Sequence, residues 1–297
     1  MQAEQLTDTH CHLDFPDFEA DREAVIRRAE EAGVRRMITI GTNLITSRAA
    51  VALAESYPNV VATVGVHPNE VGEAPDDAYG ELKRLVAHPR VVAVGECGLD
   101  YHYLPSRAAK RNFVAVEAAT LAQTGEGLAL GLEDGAVKAR QEAFFRMQLD
   151  LAVELGLNVV VHQRDAWEDC LRIVGDYRGK LRAVFHCFGG SLEEAEELFQ
   201  HGHLISVTGL VTFKNAPVIQ DTVARVPTGA FMVETDCPYL APVPYRGQRC
   251  EPWHTRLVAE KVAALRGSDL RTVAEETEKT AEAFFRFPSP SSDRAGS

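Results

Sequence analysis

No stretch of this sequence approaches the roughly 20 consecutive apolar residues that a membrane-spanning helix requires. Its opening, MQAEQLTDTH, has neither the basic nor the apolar segment of a secretory leader. A cytoplasmic protein with no membrane partner is expected. Paired cysteines are missing too: Cys11, Cys97, Cys170, Cys187, Cys237 and Cys250 include no CxxC, which removes the usual zinc-finger and disulfide frameworks. Positive charge is scarce, with 31 Lys and Arg against 43 Asp and Glu and a formal net charge of −12. That argues against an extended basic face for gripping duplex nucleic acid, which needs many contacts from Lys and Arg to phosphate. A local basic pocket remains open, and bound metal ions would add charge that composition does not show. No GxGxxG follows a predicted strand, so the dinucleotide-binding fingerprint is absent.

What is present is an alternation of strand and helix patterns. At 297 residues, 45% apolar and 25% charged, the chain suits one globular domain of α/β-barrel size. Strand patterns occur at Leu6–His10, Arg36–Ile40, Val60–Val66, Val91–Glu96, Asn158–His162, Arg182–His186, His203–Val207 and Ala230–Thr235. They are apolar throughout rather than alternating, as in a parallel sheet covered by helices. Helical patterns fill the gaps: Asp21–Ala32, Ile45–Ser56, Asp77–Val86, Glu142–Leu155, Trp167–Val174, Leu192–His201 and Ala216–Arg225, then Pro252–Leu265 and Leu270–Phe285. Asp165 and Ser191 stand at N-cap positions, and Gly33 and Gly156 at C-terminal ones. Eight βα units favour a single (β/α)8 TIM-like barrel over residues 1–285. Tyr101–Gln141 departs from the pattern as an insertion after the fourth strand, part helix near Arg107–Ala122 and part flexible loop, the excess falling at 120–140. The Pro/Ser-rich end, 286–297, reads as a disordered tail.

In such a barrel the active site lies at the carboxyl ends of the strands. Six residues with metal-binding side chains stand there: His10 and His12 in DTHCH, Glu96 in VVAVGECGLD, His162 in LNVVVH, His186 in LRAVFH and Asp236 in FMVETD. A lone strand-end histidine is more often structural, but six such residues on one face of one fold point to metal. His10 and His12, two apart, project to the same side of an extended segment. Histidine alone suits zinc, copper or iron, and the carboxylates widen the choice toward manganese or magnesium. Six ligands exceed what one four-coordinate ion needs, so a two-metal site bridged by Glu96 is expected.

Cys11, Cys97, Cys187 and Cys237 each follow a proposed ligand and are expected to point the other way, buried between sheet and helices. His88, His201 and His203 fall near strand beginnings, on the opposite face. The same reasoning places possible substrate contacts at the site: His67 at a strand end, Arg164 two residues after His162, Arg246 and Arg249 after strand eight, and Tyr101 and Phe188 as stacking aromatics. Lys214, Arg107, Lys110 and Arg111 would add to a locally basic rim, and arginine forks suit phosphate.

The motifs DTHCHLDF, GVHPNE, VGECGLDYHY, VVVHQRDA, FHCFGGS and VETDCPYLAP, with the RGxxxEP loop, occur in this order from about Gln5 to Phe285. Together they closely resemble the TatD family of metal-dependent deoxyribonucleases. The resemblance implies a TIM-like barrel of the amidohydrolase type and two divalent metals (Mg, Mn or Zn). It also implies exonucleolytic hydrolysis, 3′ to 5′, of single-stranded or end-frayed DNA, or of RNA. Carried over by motif, His10, His12, Glu96, His162, His186 and Asp236 are the ligands. His10, His12 and Asp236 would hold one ion, His162 and His186 the other, with Glu96 bridging and Asp236 also acting as general base. Arg164 would clamp phosphate, and a monomer is expected. The insertion near Thr120–Arg140, Gln163 after His162, and Cys250 where the family commonly has asparagine depart from the pattern. A C–N or ester hydrolase of the wider class competes with this reading. Its sites often bridge metals with a carboxylated lysine, yet none of the seven lysines here ends a predicted strand. A noncatalytic metal-binding scaffold and deacylation of a nucleic-acid-linked ester complete the alternatives.

Overall fold

The computed structural model describes residues 4–107 and 125–288, and of residues 125–132 the backbone only. Eight strands run parallel in sequence order: β1 (Leu6–Cys11), β2 (Val34–Ile40), β3 (Val60–Val64), β4 (Val91–Asp100), β5 (Asn158–Arg164), β6 (Ala183–Phe185), β7 (Leu204–Val207) and β8 (Phe231–Val233). The edges meet just past β8. Asp236 N–H donates to His10 O at 2.9 Å, and His12 N–H to Cys237 O at 2.9 Å. The carboxylate of Asp8 reinforces this seam, accepting from Thr235 N–H at 2.9 Å and from its hydroxyl at 2.6 Å. The result is a nearly closed (β/α)8 barrel.

Helices α1 (Arg22–Glu31), α2 (Leu44–Ser56), α3 (Ala78–Val86), α4 (Gly125–Leu155), α5 (Trp167–Gly175), α6 (Leu192–Gln200), α7 (Pro217–Arg225), α8 (Thr255–Arg266) and α9 (Leu270–Phe285) complete the described elements. Local chemistry starts several of them. Asn43 and Thr46 form a reciprocal capping box at α2, and Ser191 and Glu194 another at α6. Asp165 does not cap α5. It takes a left-handed φ of 57° and pairs with His102 and Arg107, leaving Ala166 at the cap without a side-chain hydrogen bond. Gly33 and Gly156 do follow their helices with positive φ.

Several predicted boundaries differ. β4 and β5 continue to Asp100 and Arg164, whereas β6 and β8 are only three residues long, so His186 and Asp236 lie beyond the last ladder residue. The helix predicted from Glu142 starts at Gly125 instead, replacing the expected loop over TGEGLALGLEDG. Glycine disfavours helix by about 1 kcal/mol each, but tertiary contacts hold the described part of the extension. Arg140 donates to Val71 O and Ala74 O, and Gln141 exchanges hydrogen bonds with the Asp100 backbone. Most of the helix predicted near Arg107–Ala122, and the tail from 289 onward, lie outside the described residues.

The core has two parts. Most buried side chains lie between strands and helices. A separate cluster contains Ile38, Ile40, Val61, Val160, Val184, Leu204 and Met232, from successive strands, capped by Phe284 and Phe285 of α9. Residues from strands spread around a barrel meet only in its lumen, so this cluster is the barrel's interior and α9 its floor. The floor is tied to the strand starts by Glu278, which accepts from the Thr7 hydroxyl at 2.6 Å and pairs with Arg36 at 2.8 Å. Side chains two apart share a face. His162 and His186 therefore stand directly above Val160 and Val184, at the opposite end from α9.

Glycine is required beside β5. Gly98 has φ +141°, and a Cβ there would lie 2.0 Å from His162 O. Gly98→Ala should cost about 3 kcal/mol or more through backbone strain and displacement of β5. Denaturant unfolding checks it, and a loss under 1 kcal/mol would contradict the close approach.

Candidate metal centre

The strand ends surround a cavity of about 420 Å³ whose wall includes His12, His67, Glu96, His162, His186 and Asp236. His10 lies beneath it, fully buried. All six residues singled out as ligands thus meet in one place, although they come from five different strand ends.

Glu96 is at the centre. Its Oε1 lies 2.8 Å from His162 Nδ1 and 2.7 Å from His186 Nε2, and its Oε2 lies 3.4 Å from His10 Nε2. Asp236 Oδ1 faces His12 Nε2 at 3.4 Å and His10 Nε2 at 3.6 Å. The potential donor atoms of His10, His12 and Glu96 all fall within 4.8 Å of one another, as do those of His67, Glu96 and His162. One carboxylate is common to both groups.

The outer nitrogens decide what the inner ones offer. His12 Nδ1 is 3.3 Å from Ile40 O, where only an N–H is favourable, so Nε2 presents a lone pair inward. His162 Nε2 faces Asp100 Oδ2 at 3.4 Å and His186 Nδ1 faces Glu234 Oε1 at 3.6 Å as charged neighbours without a formed hydrogen bond, while the other nitrogen of each ring lies close to Glu96. His10 has no hydrogen-bond partner for either ring nitrogen. Nitrogens of four imidazoles and oxygens of two carboxylates therefore converge in a buried space. Without a positive charge between them they repel, and divalent cations fit this donor set.

Titration follows the same logic. Burial alone would raise Glu96, but His186, His67 and His10 hold its carboxyl well below the usual range. Asp236 is likewise lowered against its burial by His12, His10 and His186. Burial opposes protonation of His162, yet Asp100 and Glu96 raise it, and Glu96 and Glu234 raise His186 well above an ordinary imidazole. His12 is raised by Asp236 against its burial. Where no ion is bound, protons supply the required positive charge.

His67 differs. Its Nδ1 accepts from Asn69 N–H at 3.1 Å, so the neutral ring carries its proton on Nε2, 3.5 Å from Glu96 Oε1. Burial, relieved in part by Glu96, takes its pKa down to about 3. A neutral N–H donor in the cavity suits a hydrogen bond to substrate better than a place in the ligand set.

The other substrate candidates divide. Arg164 lines the cavity, with its guanidinium 3.2 Å from the Tyr103 hydroxyl. Tyr101 does not line it: its ring is buried, its hydroxyl donates to Asp169 at 2.8 Å, and Lys138 covers its face. Arg246 stacks on Phe213 at 4.1 Å, outside the cavity wall. Phe188 lines an adjacent cavity beyond His186. The locally basic rim shrinks accordingly. Arg249 is engaged by Asp21 and Glu251, and Arg107 by Asp165, while Lys110 and Arg111 lie outside the described residues. Cys11, Cys97 and Cys237 are fully buried as expected, whereas Cys187 is partly exposed. Cys250 is also buried, with its thiol 3.4 Å from His254 Nδ1 and no part in the cavity wall. His203 is structural: its Nδ1 accepts from Ala183 N–H.

A family model described as TatD related DNase matches residues 7–286. The chain belongs to that family, and it is a metal-dependent hydrolase. It is 34% identical over 283 residues to an uncharacterized metal-dependent hydrolase, YabD, of Bacillus subtilis, covering 95% of this chain and 99% of that one. It is 33% identical over 286 residues to a 3′–5′ ssDNA/RNA exonuclease, TatD, of Enterobacter lignolyticus, covering 94% and 98%. The crystal structure of the TatD homologue YJJV from Escherichia coli superposes with a TM-score of 0.80 at 29% identity, covering 95% and 98%.

Within this TatD-family site, sequence reasoning missed Asp8, Asp100 and Glu234. Each lies two or four residues from a motif residue in DTHCH, GECGLD or ETD, so the signal was position within those motifs. Glu234 is fully buried, accepting from Cys187 N–H at 2.7 Å and Ser206 Oγ at 2.5 Å while it faces His186. Glu234→Gln should lower metal affinity about 10- to 100-fold by loosening His186. Calorimetric titration of metal-stripped protein reads this directly, and unchanged affinity would remove the orienting role.

Proposed function

We propose that the protein is a divalent-metal-dependent phosphodiesterase acting as a 3′–5′ exonuclease on single-stranded or end-frayed DNA, and on RNA of the same form. The observation that carries this reading is the charge of the cavity. Four carboxylates, Glu70, Glu96, Asp100 and Asp236, line it against one arginine, Arg164. A phosphodiester could not enter such a site against that charge, whereas cations held by the converging lone pairs would reverse it. The relatives named 3′–5′ ssDNA/RNA exonuclease support the choice of substrate and polarity.

In this reading His10, His12 and Asp236 hold one ion and His162 and His186 a second, with Glu96 shared. Bound there, two divalent ions would lower the pKa of a water and neutralise charge developing on the phosphate. The remaining work falls to the chain. Asp236, depressed and therefore ionised at neutral pH, accepts the proton of the attacking water. Asp100 and Glu234 keep His162 and His186 in the tautomers that face Glu96. His67 donates its Nε2–H toward substrate oxygen, and Arg164 pairs with a non-bridging phosphate oxygen. Tyr103 and Tyr239, about half exposed at the rim, bound the entrance with Phe15. The net charge of −12 disfavours an extended grip on duplex, which favours a chain end.

Metal-stripped protein should leave end-labelled single-stranded DNA intact and, on return of Mg²⁺, Mn²⁺ or Zn²⁺, produce a one-nucleotide ladder from the 3′ end. Asp236→Asn should reduce the rate about 10²- to 10⁴-fold with the fold intact by circular dichroism. Glu96→Ala should abolish both the ladder and tight metal binding. Near wild-type turnover in Asp236→Asn would remove its assignment as base, and absence of cleavage with every metal would remove the nuclease reading.

A further inference from the structure

Beyond His186 and Arg164, which form a shared wall with the central cavity, lies a second cavity of about 280 Å³. We propose that this side cavity is the subsite for a nucleobase adjoining the scissile phosphodiester. The inference rests on the phosphodiesterase reading and specifies the part of the substrate that the metal centre leaves unheld.

Position is the first argument. A phosphate in the central cavity beside Arg164 has its neighbouring base one sugar away, and the side cavity opens on the other face of that arginine. Its walls are the second. The indole of Trp167, partly exposed, is backed by the buried rings of Phe185 at 5.9 Å and Phe188 at 6.1 Å, inclined to it by 60° and 58°, and offers one supported aromatic surface of the kind on which a base stacks. Gly190 lets this wall close up: a Cβ there would lie 2.7 Å from the Phe188 ring and 2.4 Å from Glu194 Oε2. The volume is near the lower end of small-ligand cavities, roughly 300 Å³. That accommodates one base with its sugar and excludes a base pair.

The polar groups point the same way. The Gln163 side chain lines the cavity and makes no hydrogen bond among the described residues. A carboxamide offers both a donor and an acceptor, so it can meet the edge of any base without selecting one strongly. Asp165 and Glu194 also line the cavity. Asp165 is engaged by His102 and Arg107, and Glu194 Oε2 accepts from Ser191 N–H, so their negative charge repels a phosphate there while a neutral base is tolerated. The side cavity is therefore suited to the base and the central one to the phosphate.

The test compares 3′-terminal oligonucleotides carrying ordinary or abasic residues at each of the last two positions. Cleavage by the metal-loaded wild type, Trp167→Leu and Gln163→Ala is followed by steady-state kinetics. Wild type should lose roughly ten- to hundred-fold in kcat/KM when one of the two positions is abasic. Trp167→Leu should lose the same factor on the ordinary substrate and nothing further on the abasic one, since both changes remove one stack. Gln163→Ala should lower kcat/KM by a similar factor for all four bases at that position and leave the abasic substrate unchanged. Equal losses for Trp167→Leu on ordinary and abasic substrates would mark a structural defect and overturn the subsite. So would a wild type that digests DNA but ignores abasic positions. A wild type that cleaves no oligonucleotide with any metal would overturn the phosphodiesterase reading and the subsite with it.

Discussion

Everything at the functional end of this barrel depends on the convergence of lone pairs around Glu96. Four imidazoles and two carboxylates aim acceptor atoms at one another across 2.7–3.6 Å in a space removed from water. Such an arrangement is repulsive by itself and becomes favourable only with positive charge inside it. The depressed carboxylates and raised imidazoles express this requirement in protons, and a pair of divalent ions would meet it more completely. A donor set that is unfavourable when empty is also one that binds cations strongly, because loading removes the repulsion along with forming bonds.

The surrounding structure holds that arrangement in place. Below it, the lumen is packed with aliphatic side chains and sealed by Phe284 and Phe285, so the ligands cannot retreat from one another into the barrel. Around it, Ile40 O lies against His12 Nδ1, and Asp100 and Glu234 face the outer nitrogens of His162 and His186. At the seam, Asp8 joins β1 to the turn after β8 and thereby ties the His10–His12 pair to Asp236. Burial pushes the Asp8 carboxyl up to about 8, against its hydrogen bonds from Thr235, which makes this a costly group to bury. Asp165, Cys187 and Asp236 take left-handed backbone conformations just past β5, β6 and β8. Each turns the chain sharply at the barrel mouth, at a cost of order 1 kcal/mol or more.

The proposed substrate fits where charge is and is not. The chain is acidic, Arg107 and Arg249 are engaged by carboxylates and Arg246 by Phe213, and Arg164 faces the central cavity. Metal-borne charge can therefore attract a phosphate only within a few ångströms of the ligands, which suits an end that threads inward. The side cavity beside Arg164 would give such an end a second hold that does not depend on charge.

The order of elements was legible in the chain because strands buried on both faces are apolar throughout and helices between them carry a 3.6-residue period. The candidate site was legible for a related reason: His10, His12, Glu96, His162, His186 and Asp236 are polar residues where apolar strands stop. Position along one strand suffices to find each of them. Four glycines between 125 and 135 concealed the long helix α4, because local propensity carries no record of what Arg140 and Gln141 later contact. Tyr101 and Arg246 looked like substrate contacts from their loops, and only folding showed them committed to Asp169, Lys138 and Phe213.

By itself, then, the sequence determined the barrel, the strand ends and the chemistry gathered there, since each is a property of residues close together in the chain. Tertiary structure alone decided that Glu96 lies between two groups of imidazoles, that His67 presents a proton rather than a lone pair, and that a side cavity opens beyond Arg164. Those depend on distances between residues tens to hundreds of positions apart, which no local pattern encodes.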